Sequence, residues 1–293
     1  MWVPAIVWAD MFSLPYNALP YDEGMWAMFP VVVYGYDEGA DKVWISDRST
    51  APLTITTSEL AAARARVKKD KFRILTLEPP DPEKLAPAVI SGIWDTIKLY
   101  TEAPPKGARN NFGFAAYDRW ADLLTRTRLR LSWEKEFPAG GKMLAGLTSA
   151  FSDINIFGKD GQAERDVYAI FLDEAAVLLD KPNLSDVAVQ FRSSGQAWDA
   201  LGRALLPDSV PSFAETRELM LQRHRLFLEQ GSAALPQLLD TDARLEQLKA
   251  EISAQFPLTE AEVSEMRQDL RDHVLKIRDI EQTAITALQT AMS

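Results

Sequence analysis

Apolar and polar positions alternate in short runs at the start of the chain and recur with helical spacing through the rest of it. Residues 2–9 (WVPAIVWA), 30–36 (PVVVYGY), 42–47 (KVWISD), 53–56 (LTIT) and 72–77 (FRILTL) are brief stretches rich in β-branched and aromatic residues, which predicts five strands. The loop from Asp37 to Asp41, with Gly39 to supply a positive φ, predicts a hairpin between the second and third. One helix is expected before the last strand, with Ser58 as its N-cap and Glu59 in its first turn. The prolines between Glu78 and Pro82 end this pattern, because proline cannot donate to a ladder and favours extended backbone before it.

Beyond that break the spacing predicts helices over residues 83–102, 112–128, 141–154, 162–179, 184–205, 212–232, 242–256 and 259–291. Ser212 with Glu215 and Thr259 with Glu262 have the form of capping boxes. Proline or glycine punctuates the gaps. The fold class expected is therefore α+β: a small antiparallel sheet domain over residues 1–80, then a larger all-helical domain over 81–293.

Composition narrows the function classes. A chain of 293 residues, 47% hydrophobic and 25% charged, is that of a globular protein with one large domain or two ordinary ones. Its net charge of −10 is spread along the chain, whereas a phosphate-binding surface needs clustered lysine and arginine, so no nucleic-acid partner is expected. The one basic cluster, Arg64 to Arg73, sits at a helix end, where cations suit the macrodipole. No apolar run reaches the roughly 18 residues of a membrane span, and the opening residues lack a basic n-region. No membrane partner and a cytoplasmic location are the expectation. Trp2 to Ala9 already reads as a strand, which raises the expectation of a further segment upstream.

The chain has no cysteine and two histidines, so it offers no thiol nucleophile and no thiolate metal site. No nucleotide-binding, zinc-protease or serine-hydrolase motif is present, and neither a cofactor nor a metal is expected. Two roles fit Asp47, a turn at the end of a strand or a group left from a catalytic or binding site. Asp10 likewise either ends its strand or adds a polar group to a cleft. Tyr16, Tyr34 and Tyr36 are candidates to line a pocket, although alternate tyrosines on a strand also form an ordinary core stripe. His224 and His273 lie on amphipathic helices and read as surface residues.

Trp8-Ala-Asp10, Leu14-Pro15-Tyr16, VVVYGYDE at 31–38 and ISDRS at 45–49 resemble the latter half of the butirosin biosynthesis protein H N-terminal domain family. Asn111-Phe-Gly-Phe, Trp120 to Leu124, Arg165, Tyr168 and Phe171 to Glu174 resemble the helical domain of unknown function that usually follows it. The resemblance implies a papain-like fold related to bacteriocin-processing cysteine peptidases, in which a cysteine, a histidine at the head of a strand and an acid on the next strand move acyl groups through a thioester. The histidine position falls at Met28-Phe29-Pro30, with Phe29 in the slot, and only the third member is kept, as Asp47. Arg165, Tyr168 and Glu174 match the helical pattern and are expected in a buried interdomain hydrogen-bond network or, less simply, a substrate clamp.

Three functions follow as expectations. The first is a catalytically incompetent relative acting as a binding module, with an acyl carrier protein or a precursor peptide as partner. The second is an acyltransferase or peptide-processing enzyme whose cysteine and histidine come from a segment upstream. The third is a helical protein whose last helix pairs with a second copy. Trp2, Trp8, Met11, Met25, Trp26 and Met28 crowd the amino-terminal region, so a partial sheet with an open face is expected.

Overall fold

The computed structural model describes residues 3–19, 24, 27–67, 72–102, 107–108, 110–157 and 161–293. Trp2, Met25 and Trp26 of the apolar group, Lys68, Lys69, Asp70 and Lys71 of the basic cluster, and Gly158 lie outside the described residues. The chain divides into two compact units, Met1–Pro79 with Leu219–Glu246, and Pro80–Glu218 with Gln247–Ser293. The first of these divisions falls in the proline run after Glu78. Residues 219–246, which the sequence places with the helices, belong to the first unit.

The first unit holds a five-stranded antiparallel sheet: β1 (Ala5–Asp10), β2 (Met28–Asp37), β3 (Lys42–Ser46), β4 (Leu53–Ile55) and β5 (Ile74–Thr76), in the order β4-β3-β2-β1-β5. Alternation puts Val7, Ala9, Val31, Val43, Ile45, Leu53 and Ile55 on one buried face. That face packs with Leu14, Tyr16, Ala63, Phe227, Ala234 and Leu238. Each fully buried aliphatic side chain there contributes about 1.5–3 kcal/mol. On the opposite face Ile6, Trp8, Val32 and Trp44 are only half-buried. Tyr34 and Tyr36 do not form a core stripe: each is 41% exposed, and the register shift between Val33 and Gly35 breaks the alternation between them, pairing Tyr36 with Val43. A bulge between Val33 and Gly35 shifts the β2–β3 register, and a Cβ on Gly35 would stand 2.9 Å from the Trp44 ring.

Two local expectations need correction. The left-handed residue of the β2–β3 turn is Asp41 (φ 47), not Gly39; aspartate tolerates this conformation, and Asp41 Oδ1 accepts the Thr57 N–H at 3.0 Å. Helix α1 (Thr57–Arg66) is capped by Thr56, not Ser58, because the strand ends at Ile55 and leaves Thr56 as the extended residue before the first turn. Thr56 and Glu59 form a capping box, with the Glu59 N–H donating to Thr56 Oγ1 at 3.1 Å and the Thr56 N–H donating to Glu59 Oε2 at 2.7 Å.

The remaining helices are α2 (Leu85–Thr101), α3 (Gly113–Thr125), the single turn α4 (Trp133–Glu136), α5 (Gly141–Asn155), α6 (Arg165–Leu178), α7 (Asn183–Leu205), α8 (Pro211–Gln230), α9 (Leu235–Ala254) and α10 (Glu260–Met292). α8 starts at Pro211, so Ser212 lies inside it and is not its N-cap. Thr259 does cap α10, in a capping box with Glu262. Residues 219–246 are tied to the sheet of their own unit: the Thr50 N–H donates to the Leu228 carbonyl at 2.8 Å, and the Thr54 N–H donates to Ser232 Oγ at 3.3 Å.

In the helical unit one cluster gathers Ile93 and Ile97 of α2, Leu172 of α6, Val187 and Phe191 of α7, and Ile285 and Leu288 of α10. α10 buries Val263, Leu270, Val274, Ile277, Ala284, Leu288 and Met292, a stripe with helical period that packs on α3 and α7. The apolar face that would pair with a second copy is thus used within the unit. The fold class is α+β, as the sequence indicates. Among the described residues no helix is long and apolar enough to cross a membrane.

Candidate functional site

Asp47 lies one residue beyond the end of β3, where Tyr16 and Asn17 of the short 3-10 turn Pro15–Asn17, Phe29 of β2 and the adjoining Arg48 gather around it. The Tyr16 hydroxyl donates to Asp47 Oδ2 at 3.3 Å, and the Arg48 N–H and Nε donate to Oδ1 at 2.7 and 3.2 Å. Arg48 Nη2 donates to Asn17 Oδ1 at 2.8 Å, and the guanidinium lies over the rings of Phe29 and Phe227, 5.6 and 5.0 Å from their centroids. Asp47's side chain is 3% exposed. Burial, and then the neighbouring Asp47 charge, push the Tyr16 phenol well above its ordinary pKa. Tyr16 therefore serves as a neutral donor. Neither the Phe29 ring nor the guanidinium over it can take a proton from a nucleophile.

Asp10, fully buried, is saturated separately: it accepts from the Ala27 N–H at 2.8 Å and the Ser13 hydroxyl at 2.7 Å, and pairs with Arg66 Nε at 3.0 Å. It ends β1 and pins the following turn. Tyr36 stands apart, 41% exposed and paired with Val43 near the β2–β3 turn. Arg64 and Arg66, the described start of the basic cluster, are occupied within the unit, Arg66 by Asp10 and Arg64 by the Phe72 carbonyl at 2.6 Å.

The helical unit holds the denser polar site. Glu281 falls in the buried stripe of α10 and is 0% exposed. Its carboxylate accepts from the hydroxyls of Tyr100 (2.7 Å), Tyr117 (2.6 Å) and Ser194 (2.7 Å), from Trp198 Nε1 (3.1 Å) and from Arg165 Nε (2.6 Å). Arg165 also donates through Nη1 to the Ala163 carbonyl at 2.8 Å, and its Nη2 reaches both tyrosine hydroxyls at 3.2 to 3.3 Å. Burial opposes the charge on Glu281, but the Arg165 charge and these hydrogen bonds override it and hold the pKa below the ordinary carboxylate value. Burial likewise opposes the charge on Arg165, and Glu281 raises its pKa regardless. Both phenols are pushed up, by burial first.

Helix starts place these groups. Gly113 (φ 57) opens α3, and a Cβ there would meet the Tyr100 carbonyl oxygen at 2.7 Å, so glycine lets the start of α3 abut the end of α2. That approach puts Tyr117 and Tyr100 on the same carboxylate. Arg165 opens α6 directly after a left-handed turn of Gln162, Ala163 and Glu164.

Beside this network lies a cavity of about 660 Å³, within the range of small-molecule sites. Half of its lining is aromatic, Tyr100, Phe112, Tyr117, Trp120, Tyr168, Phe171, Phe191 and Trp198, with Glu164 and Arg165 as the charged members. Tyr168 packs edge-on against Phe191 with centroids 4.7 Å apart, and burial pushes its phenol up. Its buried hydroxyl lies near Thr96, but the two lack hydrogen-bond geometry, and Thr96 donates to the Gly92 carbonyl at 3.0 Å. A larger depression of about 1210 Å³ beside the start of α10 is lined by Glu134, Glu260, Glu265, Gln268 and other solvated groups without a convergent network, so the smaller cavity is the better candidate.

Of the residues singled out in the sequence, Asp47 and Tyr16 meet in the first unit, and Arg165 and Tyr168 line the cavity in the second. The Arg165 network lies within the helical unit. Glu174 is exposed and joins neither site. His273 is half-buried, 3.8 Å from Asp269, and the ring Nε2 of His224 is shielded from solvent, so neither histidine is a simple surface residue. Sequence reading missed Tyr100, Tyr117, Ser194, Trp198 and Glu281. The available signal was Glu281, an acid in register with the apolar positions of α10.

Among the described residues no group of three His, Cys, Asp or Glu side chains is placed to hold a metal ion. A search of the curated proteins returns no match. A family model described as Domain of unknown function (DUF4872) matches residues 58–224, from α1 into α8 and more than half of the chain, and the protein belongs to that family.

Proposed function

We propose that the chain is a catalytically incompetent relative of the cysteine-dependent acyltransferases of natural-product biosynthesis that the butirosin biosynthesis protein H family represents, and that it acts as a binding module. The observation that carries this reading is the closed arrangement around Asp47. The position matching the family's histidine is Phe29, a ring beneath the Arg48 guanidinium, and the surviving aspartate is already occupied by Tyr16 and Arg48. An orienting acid without an imidazole cannot activate a thiol. The binding role is supported by the aromatic cavity of the helical unit, walled on one side by a saturated polar network that holds its shape. An acyl carrier protein or a modified precursor peptide is the partner the resemblance favours.

The test is incubation with an aminoacyl carrier-protein thioester and an aminoglycoside acceptor. The expected result is no thioester consumption above buffer and no acyl adduct on the protein by mass spectrometry. Turnover that disappears in Asp47→Asn would overturn the reading.

A further inference from the structure

The cavity in the helical unit is not electrically balanced. Arg165 and Glu281 cancel, and Tyr100 and Tyr117 are neutral phenols hydrogen-bonded to Glu281. Glu164 is left over. It lines the cavity, and its Oε1 is shielded from solvent with no hydrogen-bond partner among the described residues. Tyr168, four residues on and lining the same cavity, has a buried hydroxyl in the same state. A carboxylate oxygen kept from water without a donor is costly, and a bound donor relieves that cost.

The backbone that holds Glu164 is also unusual. Gln162, Ala163 and Glu164 have φ of 56, 47 and 61, three successive left-handed residues with side chains. Non-glycine residues visit this region singly, and strain of this kind gathers at ligand sites. The other walls include the rings of Phe112 and Trp120, whose faces attract cations, while the Trp198 ring already carries the Arg165 guanidinium 5.6 Å from its centroid. Four of the five N–H donors of Arg165 are engaged within the network, which leaves little for an anionic ligand to bind.

We propose that this cavity takes a protonated amine carried on an apolar body, with Glu164 as its counter-ion. The ammonium pairs with the Glu164 carboxylate, and the rings enclose the body. This assignment deepens the binding role proposed above and rests on the cavity being a ligand site.

The experiment titrates the full chain with dansylcadaverine, a fluorescent primary amine on an aromatic body, and with its neutral N-acetyl derivative. The expected result is saturable binding of the amine, with affinity falling about tenfold or more on acetylation or in Glu164→Gln. The substitution leaves the acetylated probe unaffected. Glu164→Gly suits the backbone at that position and gives the same loss in a chain that melts no lower. Ala116→Trp, at a residue that lines the cavity, abolishes binding of both probes. Equal binding of the two probes, insensitive to Glu164→Gln, overturns the amine assignment and leaves an apolar ligand site. Binding of neither probe by a chain with native circular dichroism overturns both.

Discussion

Glu281 and Arg165, 116 residues apart in the chain, meet at 2.6 Å inside the helical unit, and the carboxylate has no solvent exposure. A buried pair of this kind is an asymmetric dependency, because removing one member strands the other. Glu281→Ala is expected to cost about 3–5 kcal/mol in urea unfolding, since it leaves a buried guanidinium uncompensated. The double substitution Arg165→Met with Glu281→Leu, which removes both charges, should cost less than Glu281→Ala alone. A double variant less stable than the single one would mean that the hydroxyl donors, rather than the ion pair, dominate the network.

The same pair sets a pH dependence. The folded-state pKa of Glu281 lies below the ordinary 4.5, so its stabilising contribution is fully present above that value and is lost as pH falls through the folded pKa. The stability difference between the native chain and Glu281→Gln should therefore be constant near neutrality and shrink only in acid. Urea unfolding at a series of pH values checks this, and a difference that shrinks between pH 6 and 8 would contradict it.

Much of the architecture was legible in the sequence, because strands and helices announce themselves by period. All five strands and most of the long helices fall close to where apolar spacing puts them, while α9 begins at Leu235, seven residues before the expected 242. Local chemistry was harder. The left-handed turn residue is an aspartate rather than the nearby glycine, because Asp41 gains a bond to Thr57 that glycine cannot make. The site was half visible: Tyr16 and Asp47, or Arg165 and Tyr168, are residues any reader would mark. Glu281 was hidden because its partners Tyr100, Tyr117 and Ser194 lie 181, 164 and 87 residues away, and a single sequence carries no signal for such pairings.

Arg48 joins Asp47, Asn17 and two aromatic rings in the first unit. Arg48→Ala should destabilise by about 2 kcal/mol, since it strips a nearly buried carboxylate of its charged partner. Arg48→Lys should recover only part of this, because an ammonium cannot serve the carboxylate, the amide and both ring faces together. Full recovery in thermal unfolding would show that charge alone matters.

Ala163 sits in the middle of the left-handed run (φ 47). Ala163→Gly is expected to stabilise the chain by up to about 1 kcal/mol, the relief of an unfavourable φ less the extra freedom of the unfolded glycine. A lower melting temperature would contradict this.

Gly113→Ala should go the other way. A methyl group there meets the Leu99 and Tyr100 backbone at 2.7 Å, and φ is 57. The expected cost is about 2 kcal/mol or more, with weaker probe binding in the cavity, since Tyr100 and Tyr117 would be pushed apart. Unchanged unfolding would mean that the start of α3 can move without cost.

The interleaved composition of the two units has a consequence for biosynthesis. The sheet lies within residues 1–79, yet the core over its buried face includes Phe227, Ala234 and Leu238, which are translated much later. Arg165 likewise has no counter-ion until α10 has been made. Neither core can be completed in the order of translation, so a ribosome-bound chain must carry an uncovered apolar sheet face and an unneutralised guanidinium for more than a hundred residues of synthesis. Contacts of such long sequence separation fold slowly. A nascent chain arrested before α8 would be a substrate for chaperones or proteases rather than a folded half.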